Sequence, residues 1–475
     1  MPETVRIGLA LSGGGFRAAA FHLGVLKRLE ELGLLADIDR LSTVSGGSMT
    51  GALYAYRCVR DGDGSPGSYP VDALIPDVRR LVSRNFRGRA LFGTPLRAAQ
   101  TAASFATRYV SRVPLLADAL DRQLFNGASL ADAPPWLLVN ATNLMTGKSW
   151  KFFHDRAGDY LIGATDRTEG IRLADAVLAS AAYPGLTDPF PFQTQWEDLR
   201  ADLLDDRWQR PQTASRWRRV HGRARGRLTV PLGDGGLYDN EGLNGLRSSR
   251  VSHAIYASTA APEATYEGIR GPGSLLRMVD VIHSRLGAVT RQHAHEMTHG
   301  VDPAVARHRL VALAERLEAS DDPEQHSIAE ELRSLSAVGW PPRGPQYLAT
   351  APVLLHRTTL GRNGFSSYNP PLDIPPEHRG LHPELADSLA RIRTDLDAYH
   401  PRVIELLMAQ AYFLTDAHVH LAMPDLLPDP VPPTWDWAVS TIRSANANHA
   451  DTEALIQSET RRSLIGRRGV AIGHT

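Results

Sequence analysis

The first sixty residues contain the same pattern twice: a short apolar strand, a glycine-rich turn and a helix with an apolar stripe. Apolar residues alternate over 5–11 before Gly13-Gly14-Gly15, and they recur at helical spacing over 18–32. A second strand over 38–44 runs into Ser45-Gly46-Gly47, which a helix to about Val59 follows. Strands that are joined through helices run parallel, so the pattern predicts a parallel sheet covered by helices.

The rest of the chain continues this alternation less regularly. Residues 191–227 are rich in tryptophan and arginine and show no clear period, and a proline-rich stretch covers 424–433. The remaining pattern predicts amphipathic helices within 72–125, strands at 136–141 and 149–154, a helix over 173–182, strands at 228–232 and 253–258, mainly helix over 274–340, a late strand at 353–356 and a long helix over 384–415.

A chain of 475 residues exceeds one minimal domain. The pattern predicts a catalytic core over 5–260, with the Trp/Arg-rich insertion around 191–227. A helical part with a late strand follows over 261–420, and a polar tail bounded by prolines covers 421–475.

Composition limits the class of protein. Hydrophobic residues at 43% and charged residues at 22% are typical of a globular protein, and the 52 basic and 52 acidic residues leave no net field to attract nucleic acid. The single cysteine, Cys58, excludes an internal disulfide and a cysteine-rich metal cage. The sequence lacks an apolar run of 18 residues and a basic-then-apolar N-terminus, so we expect a cytoplasmic protein that would meet a membrane peripherally, at its inner face. Composition leaves the oligomeric state open.

Ser45 is a candidate nucleophile. It lies at a strand-to-helix turn, where Gly46 and Gly47 supply the small neighbours that a sharp turn requires. The amide that follows the serine lies at a helix N-terminus and can donate to a developing oxyanion. The alternative is a plain turn in which Ser45 caps the helix.

Two further glycine-rich segments follow apolar strands. The amides of Gly13-Gly14-Gly15 form an anion-binding concavity, to which Arg17 adds positive charge. The same glycines loosely match a dinucleotide fingerprint, with Asp37 or Asp39 as the ribose ligand. Glycines also flank Asp234, which favours an accessible carboxylate base, although Asp-Gly turns are common without any function.

Taken together, the three segments resemble the patatin-like phospholipase family. The matching motifs are its Gly-Gly-Gly-x-Arg loop, its G-x-S-x-G serine and its Asp-Gly-Gly aspartate, and they occur here in the same order. Further similar blocks begin at Asn140, Ala179 and Arg393, so the resemblance extends over roughly 5–420. It implies a three-layer α/β/α sandwich with a mainly parallel sheet and helical C-terminal additions.

The resemblance also implies roles for particular residues. Ser45 would be the nucleophile and Asp234 its general base, and the oxyanion hole would lie at Gly13, Gly14, Gly15 and Gly46, with the amides of the last three donating. Arg17, Gly47, Gly235 and Gly236 would support the site. The chain departs from the motif at Thr43, which replaces its first glycine.

The implied activity is hydrolysis of fatty acyl esters through an acyl-enzyme on Ser45, as in a phospholipase A or a lysophospholipase. The substrate would be a membrane phospholipid or lysophospholipid, and neither a metal nor another cofactor would be required. Acyl transfer to another lipid at the same site is the related alternative, and a catalytically silent binding protein is a second.

Histidines offer other interpretations. His22 lies on the apolar face of the first helix, where we expect a packed side chain rather than a third catalytic group. His295-Glu296-Met297-Thr298-His299 is a literal H-E-x-x-H, the signature of a zinc peptidase helix. The apolar stripe of that segment would leave both histidines on a solvated face, which favours a helix without a metal.

The insertion suggests how the chain would reach a lipid. Arginines are dense between Arg207 and Arg227 and accompany Trp196, Trp208 and Trp217, which is typical of contact with an anionic membrane surface. The alternative is a solvated loop whose arginines pair with neighbouring acidic residues, namely Asp198, Asp202, Asp205 and Asp206.

Overall fold

The computed structural model describes most of the core and parts of the C-terminal half. The described residues are 5–106, 112–184, 187–203, 225–249, 251–260, 265–266, 281, 285–291, 311, 314–315, 317–318, 323–337, 349–355, 380–392, 394, 396–423, 426–427, 431–461 and 469–470.

A ten-stranded sheet forms the centre of the molecule. Its main path runs β11-β9-β1-β2-β3-β4-β5-β6; β8 pairs with β3, and β7 pairs with β8. Strands β11, β9, β1, β2 and β3 are parallel, whereas β4 to β8 join antiparallel. The strands are β1 Ile7–Leu11, β2 Ile38–Val44, β3 Leu137–Asn143, β4 Lys148–Phe152, β5 Ala157–Asp159, β6 Gly163–Thr165, β7 Phe190–Gln195, β8 Arg227–Asp234, β9 His253–Ser258 and β11 Ala349–Leu354, with β10 Thr265–Tyr266 and β12 Gly469–Val470 forming a separate pair.

Helices cover both faces of the sheet. The named helices are α1 Gly15–Glu31, α2 Gly46–Asp61, α3 Ile75–Val82, α4 Phe86–Phe92, α5 Pro95–Ala106, α6 Val113–Leu120, α7 Leu173–Ser180, α8 Gly236–Asp239, α9 Leu243–Ser248, α10 Pro323–Ala337, α11 Pro383–Ala390, α12 Pro401–Ala422, α13 Asp436–Ala447 and α14 His449–Arg461.

The alternation in β1 shows how the two faces are filled. Leu9 and Leu11 belong to the large core that includes α1, α2 and α12, whereas Ala10 belongs to a smaller core with Leu243 and Leu246 of α9. Successive side chains of a strand point to opposite faces, so one strand serves both helical layers. The three-layer α/β/α sandwich with its mainly parallel central sheet, predicted from the sequence, is therefore confirmed.

Helix α12, in the C-terminal half of the chain, packs directly along α1. Gly24 allows this approach, because a β-carbon at that position would overlap the carbonyl oxygen of Met408. The fully buried Arg28 donates to one carboxylate oxygen of Asp416, at 3.0 Å from Nε and 2.7 Å from Nη2, and to Glu31 at 2.9 Å. Burial opposes ionisation of Asp416, but a hydrogen bond from His420 and the charge of Arg28 outweigh it and lower its pKa.

The C-terminal half differs from the sequence prediction in two places. The long helix predicted over 384–415 is wrong: α11 ends at Ala390, and α12 begins at Pro401. Proline lacks the N–H that a continuous helix needs and restricts the residue before it, so His400 caps a new helix instead. In the segment predicted only as a polar tail, α13 and α14 form, and Ala438 and Ile456 belong to the large core. The domain boundaries at residues 260 and 420 stay predictions.

The insertion contains a strand that its irregular composition did not indicate. Phe190–Gln195 forms β7, which pairs antiparallel with β8 from Phe190 opposite Leu232 to Gln195 opposite Arg227. In the described part, Asp198 pairs with Arg167 outside the insertion, and Asp202 pairs with Arg200 within it. Residues 204–224, which carry Arg207 and most of the arginines, lie outside the described residues. No helix in the described part of the chain is both long and apolar enough to cross a membrane.

Candidate functional site

Ser45 occupies a strained turn between β2 and α2. Its φ of 50° and ψ of −118° lie in the region of positive φ, which residues other than glycine rarely adopt. Such a conformation costs on the order of 1–3 kcal/mol, which the surrounding structure has to supply. The side chain is 6% exposed, so the hydroxyl has limited access to solvent.

The glycines around Ser45 permit a close approach of two loops. A β-carbon at Gly46 would overlap the carbonyl oxygen of Gly15, and one at Gly47 would overlap that of Leu11. Gly14 and Gly15 both have positive φ, at 143° and 57°. Because these positions are glycines and carry no side chain, the loop after β1 can lie directly against the serine turn.

The amides near the serine differ in whether they are already bonded. Within the described part of the chain, the N–H groups of Gly14, Gly15 and Gly46 have no hydrogen-bond partner. The N–H of Gly13 instead donates to the carbonyl of Asn240 at 3.0 Å, so it is already used in holding the loop. The geometry therefore leaves three amides, and not that of Gly13, to stabilise an oxyanion.

Asp234 reaches Ser45 because two strands end towards each other along the same side of β3. Strand β2 pairs with β3 up to Val44 opposite Asn140, and β8 arrives from the other direction with Asp234 opposite Ala141. The Ser45 hydroxyl lies close enough to the Asp234 carboxylate to favour its ionised form. The N–H of Gly236 donates to the same carboxylate at 2.7 Å and orients it.

The Asp234 carboxyl is 2% exposed. Burial raises its pKa to about 6, against the opposing effects of the nearby Ser45 hydroxyl and of the hydrogen bond from Gly236. A carboxylate with a pKa near 6 is a stronger base than an ordinary aspartate and is still ionised at neutral pH. Burial thus gives the aspartate the property that a serine base requires.

Thr43 fits beneath the serine turn because a neighbouring position is glycine. A β-carbon at Gly51 would collide with the Thr43 methyl group, so the absence of a side chain there makes room for the larger residue. The Thr43 hydroxyl donates to the carbonyl of Leu138 at 3.2 Å and accepts from Ser48 at 3.0 Å. The departure from the motif is therefore accommodated without displacing Ser45.

Ser180 supports the site, although no sequence motif marked it individually. Its hydroxyl accepts from the N–H of Ser45 at 2.8 Å and donates to the carbonyl of Asn140 at 2.6 Å. Its own carbonyl accepts from the N–H of Gly235 at 3.0 Å, which ties the serine turn to the aspartate turn. The available signal was the run of small residues from Ala179 to Ala182, which such close packing needs.

Two residues near the glycine loop act structurally. Arg17 is buried, and its guanidinium donates to the carbonyls of Thr259, Ala390 and Ile392, so it anchors the C-terminal segment instead of adding charge to an oxyanion. His22 is completely buried, and burial lowers its pKa to about 4 despite a hydrogen bond with Ser12. It is a packed, neutral histidine, as the sequence predicts.

The rival sites receive no support from the described residues. Asp39 lies near the start of β2, accepts from the N–H of Ile7 at 2.8 Å, and is therefore at the opposite end of the sheet from Gly13. A dinucleotide would need it beside the glycines. The H-E-x-x-H segment from His295 to His299 lies outside the described residues.

One cluster in the described part of the chain has metal-ligand types. His382, Glu384 and His449 place ligand atoms within 4.8 Å of one another at the N-termini of α11 and α14. Glu384 and His382 are exposed, and both helix N-termini carry partial positive charge, which disfavours a cation. We assign this cluster no metal.

A family model described as patatin-like phospholipase matches residues 9–247. No curated protein matches the sequence. Human GIVD cytosolic phospholipase A2 is similar to 92% of this chain, with 14% identity and a TM-score of 0.46, and VipD from Legionella pneumophila to 96%, with 12% identity and a TM-score of 0.30. The matched region spans 61% of the human chain and 75% of the VipD chain.

Proposed function

Since the chain belongs to the patatin-like phospholipase family, we propose that it is a serine lipid acyl hydrolase that cleaves fatty acyl esters of phospholipids or lysophospholipids at Ser45. The observation that carries the proposal is the approach of the strained Ser45 to the buried Asp234, beside three amides that have no partner among the described residues. These are the nucleophile, base and oxyanion donors that acyl transfer requires.

In the proposed reaction, Asp234 accepts the hydroxyl proton while Ser45 Oγ attacks the ester carbonyl. The negative charge that develops on the carbonyl oxygen is held by the amides of Gly14, Gly15 and Gly46. Collapse of this intermediate breaks the ester bond, and the proton on Asp234 passes to the departing alcohol. Water then attacks the acyl-enzyme by the same sequence, and the fatty acid leaves with the serine restored.

A cavity of about 270 Å³ beside Asp234 supports binding of an acyl chain. Leu144, Ala182 and Pro189 line it, and the carbonyl of Ala182 accepts from the N–H of Asp234 at 2.9 Å. An ion pair between Arg112 and Asp188, at 3.1 Å, lies in the same wall. Mixed apolar and charged walls suit an ester whose chain is apolar and whose headgroup is polar.

The direct test is incubation of the purified protein with mixed phospholipid vesicles and mass spectrometry of the products. We expect free fatty acid and the matching lysolipid or glycerol phosphodiester, with none released by the Ser45→Ala variant. Appearance of a newly acylated lipid in place of free fatty acid would establish acyl transfer, the alternative at the same site. Neither product from any lipid class would oppose the proposal.

The pKa of Asp234 predicts the pH dependence of hydrolysis. Below a pH of about 6 the carboxyl is protonated and cannot accept the serine proton, so kcat/KM for a soluble ester should rise with pH through about 6 and then level off. A pH–rate profile between pH 4.5 and 8 measures this. A profile that is flat across this range would contradict the role of Asp234 as the base.

Hydrolysis should not depend on a metal. The proposed steps use a hydroxyl, a carboxylate and backbone amides of the chain itself, so activity should survive EDTA, and His295→Ala should change kcat/KM less than about twofold. Measuring zinc content alongside activity checks this expectation. Stoichiometric zinc together with loss of activity on chelation would favour the peptidase alternative.

A further inference from the structure

One segment of this electrically neutral chain is strongly basic. Residues 78–117 contain no acidic residue, whereas the chain as a whole has 52 acidic and 52 basic residues. At the average density, about four acidic residues would be expected in forty positions. The basic residues of the segment are Arg79, Arg80, Arg84, Arg87, Arg89, Arg97, Arg108 and Arg112.

Part of this charge is balanced by the rest of the fold. Four of the arginines pair with carboxylates elsewhere, and these are Arg79 with Glu405, Arg80 with Asp77, Arg87 with Asp397 and Arg112 with Asp188. Within the described residues, Arg84, Arg89 and Arg97 form no ion pair, and the first two are exposed. The uncompensated charge therefore surrounds α4 and the start of α5.

The same place exposes two large apolar side chains. Phe92, at the end of α4, is 60% exposed, and Leu96, in the first turn of α5, is 69% exposed. Of the side chains described over 92–103, only that of Thr101 is buried, so the described residues leave most of the surface at this end of α5 uncovered. Apolar groups that fold into no core are typical of a contact surface.

The turn lies at the same end of the sheet as the serine site. Phe86 at the start of α4 packs edge-on against Phe16 in the first turn of α1, with ring centroids 6.0 Å apart, and α1 begins at the glycine loop. Helix α4 is only seven residues long, roughly 10 Å, so Phe92 is a short distance from that edge. Leu144 and Met145, which follow β3 at this edge, are also exposed.

We propose that the α4–α5 turn, defined by Arg84, Arg89, Phe92, Leu96 and Arg97, docks the protein on an anionic phospholipid bilayer. This inference rests on the proposed function, because it would present the serine site to its substrate. Phe92 and Leu96 would insert into the interface while the arginines contact the lipid phosphates. Phe92 could stack on a base, but the aliphatic Leu96 beside it could not, whereas both side chains can insert between lipids, so the pair fits a bilayer better than a nucleic acid.

The test measures binding without catalysis. In the full-length Ser45→Ala background, vesicles of phosphatidylcholine with and without 30% phosphatidylglycerol are sedimented with the protein. We expect binding to the anionic vesicles that weakens as salt rises. Phe92→Ser with Leu96→Ser should lower the partition coefficient at least about tenfold, and Arg84→Gln with Arg89→Gln about 10- to 30-fold.

Matched controls separate this surface from others. Ile328→Ser, at a residue of α10 that is also exposed, should bind as the parent does. Arg216→Gln with Arg218→Gln and Arg219→Gln tests the insertion as the rival membrane contact. Cys58 is buried, so Phe92→Cys can be labelled selectively with an environment-sensitive dye, whose emission should shift to the blue on anionic vesicles, while the same dye at Ile328→Cys should not respond.

The proposal would be overturned if the Phe92/Leu96 variant bound as well as its parent, or if only the insertion variant lost binding. Equal binding to neutral and anionic vesicles at low salt would overturn it as well. If the emission of the dye shifted on addition of an RNA oligomer but not on addition of vesicles, the surface would be assigned to nucleic acid instead. Circular dichroism confirms that each variant is folded. Failure of the proposed enzymatic function would appear separately, as absence of soluble-ester hydrolysis by the wild type with vesicle binding intact.

Discussion

Replacing Ser45 by alanine or Asp234 by asparagine is expected to lower kcat for ester hydrolysis by about 10⁴-fold or more, and the double variant should lose little beyond either single change. The reason is that a nucleophile and its base act as one unit. Removing either partner already abolishes their joint contribution to the rate, so removing the other as well has little further effect. Hydrolysis of a soluble short-chain ester, followed for all three variants, measures this.

The controls use neighbouring hydroxyls. Labelling by a fluorophosphonate should disappear in Ser45→Ala and remain in Ser48→Ala, because Ser48 bonds to Thr43 and Ser180 instead of Asp234. Circular dichroism of each variant excludes loss of the fold. Strong residual turnover in Ser45→Ala, or labelling that follows Ser48, would place the nucleophile elsewhere.

The second large effect concerns stability. Asp416→Ala is expected to lower the free energy of unfolding by about 3 kcal/mol or more, because it leaves the fully buried Arg28 without the carboxylate that binds two of its nitrogens. Glu31 and the carbonyls of Val431 and Pro432 remain as partners of Arg28, but they compensate the charge only in part. Urea denaturation at pH 7 measures the change.

A partly exposed pair provides the comparison. Asp387 binds Arg391 at 2.8 Å near the surface of α11, and Asp387→Ala should cost about 0.5 kcal/mol or less, because solvent screens such pairs. A similar small change for Asp416→Ala would mean that the contact between α1 and α12 does not depend on this ion pair.

Local sequence determined the first elements closely. Strand β2 spans the predicted 38–44, and β1 and α1 fall within a few residues of their predicted limits. In this region, strand alternation, glycine turns and helical spacing all indicate the same structure, and each signal is read over a few neighbouring residues. The same short-range chemistry marked Ser45, Asp234 and the glycines as candidates.

Where the deciding contacts are distant in sequence, prediction failed. The apolar stripe over 384–415 looked continuous, but Pro401 begins a new helix, and α12 is placed by its packing on α1 nearly four hundred residues earlier. Strand β7 carries only a short alternation, in which Phe190 and Phe192 are buried, and it is held by pairing with β8. Arg17 was expected to add positive charge at the glycine loop, and only the folded C-terminal segment reveals the carbonyls that it binds.

The sequence alone therefore determined which side chains are chemically capable of acyl transfer: a serine at a glycine-flanked turn and an aspartate between glycines. Tertiary structure decided that they meet, because β2 and β8 end towards each other along β3 and bring the side chains of residues 45 and 234 close together. It also decided that Gly13 is unavailable as a donor, since its amide binds Asn240, and that the pKa of Asp234 rises to about 6. Both follow from burial and pairing with remote residues, which short-range sequence patterns do not encode.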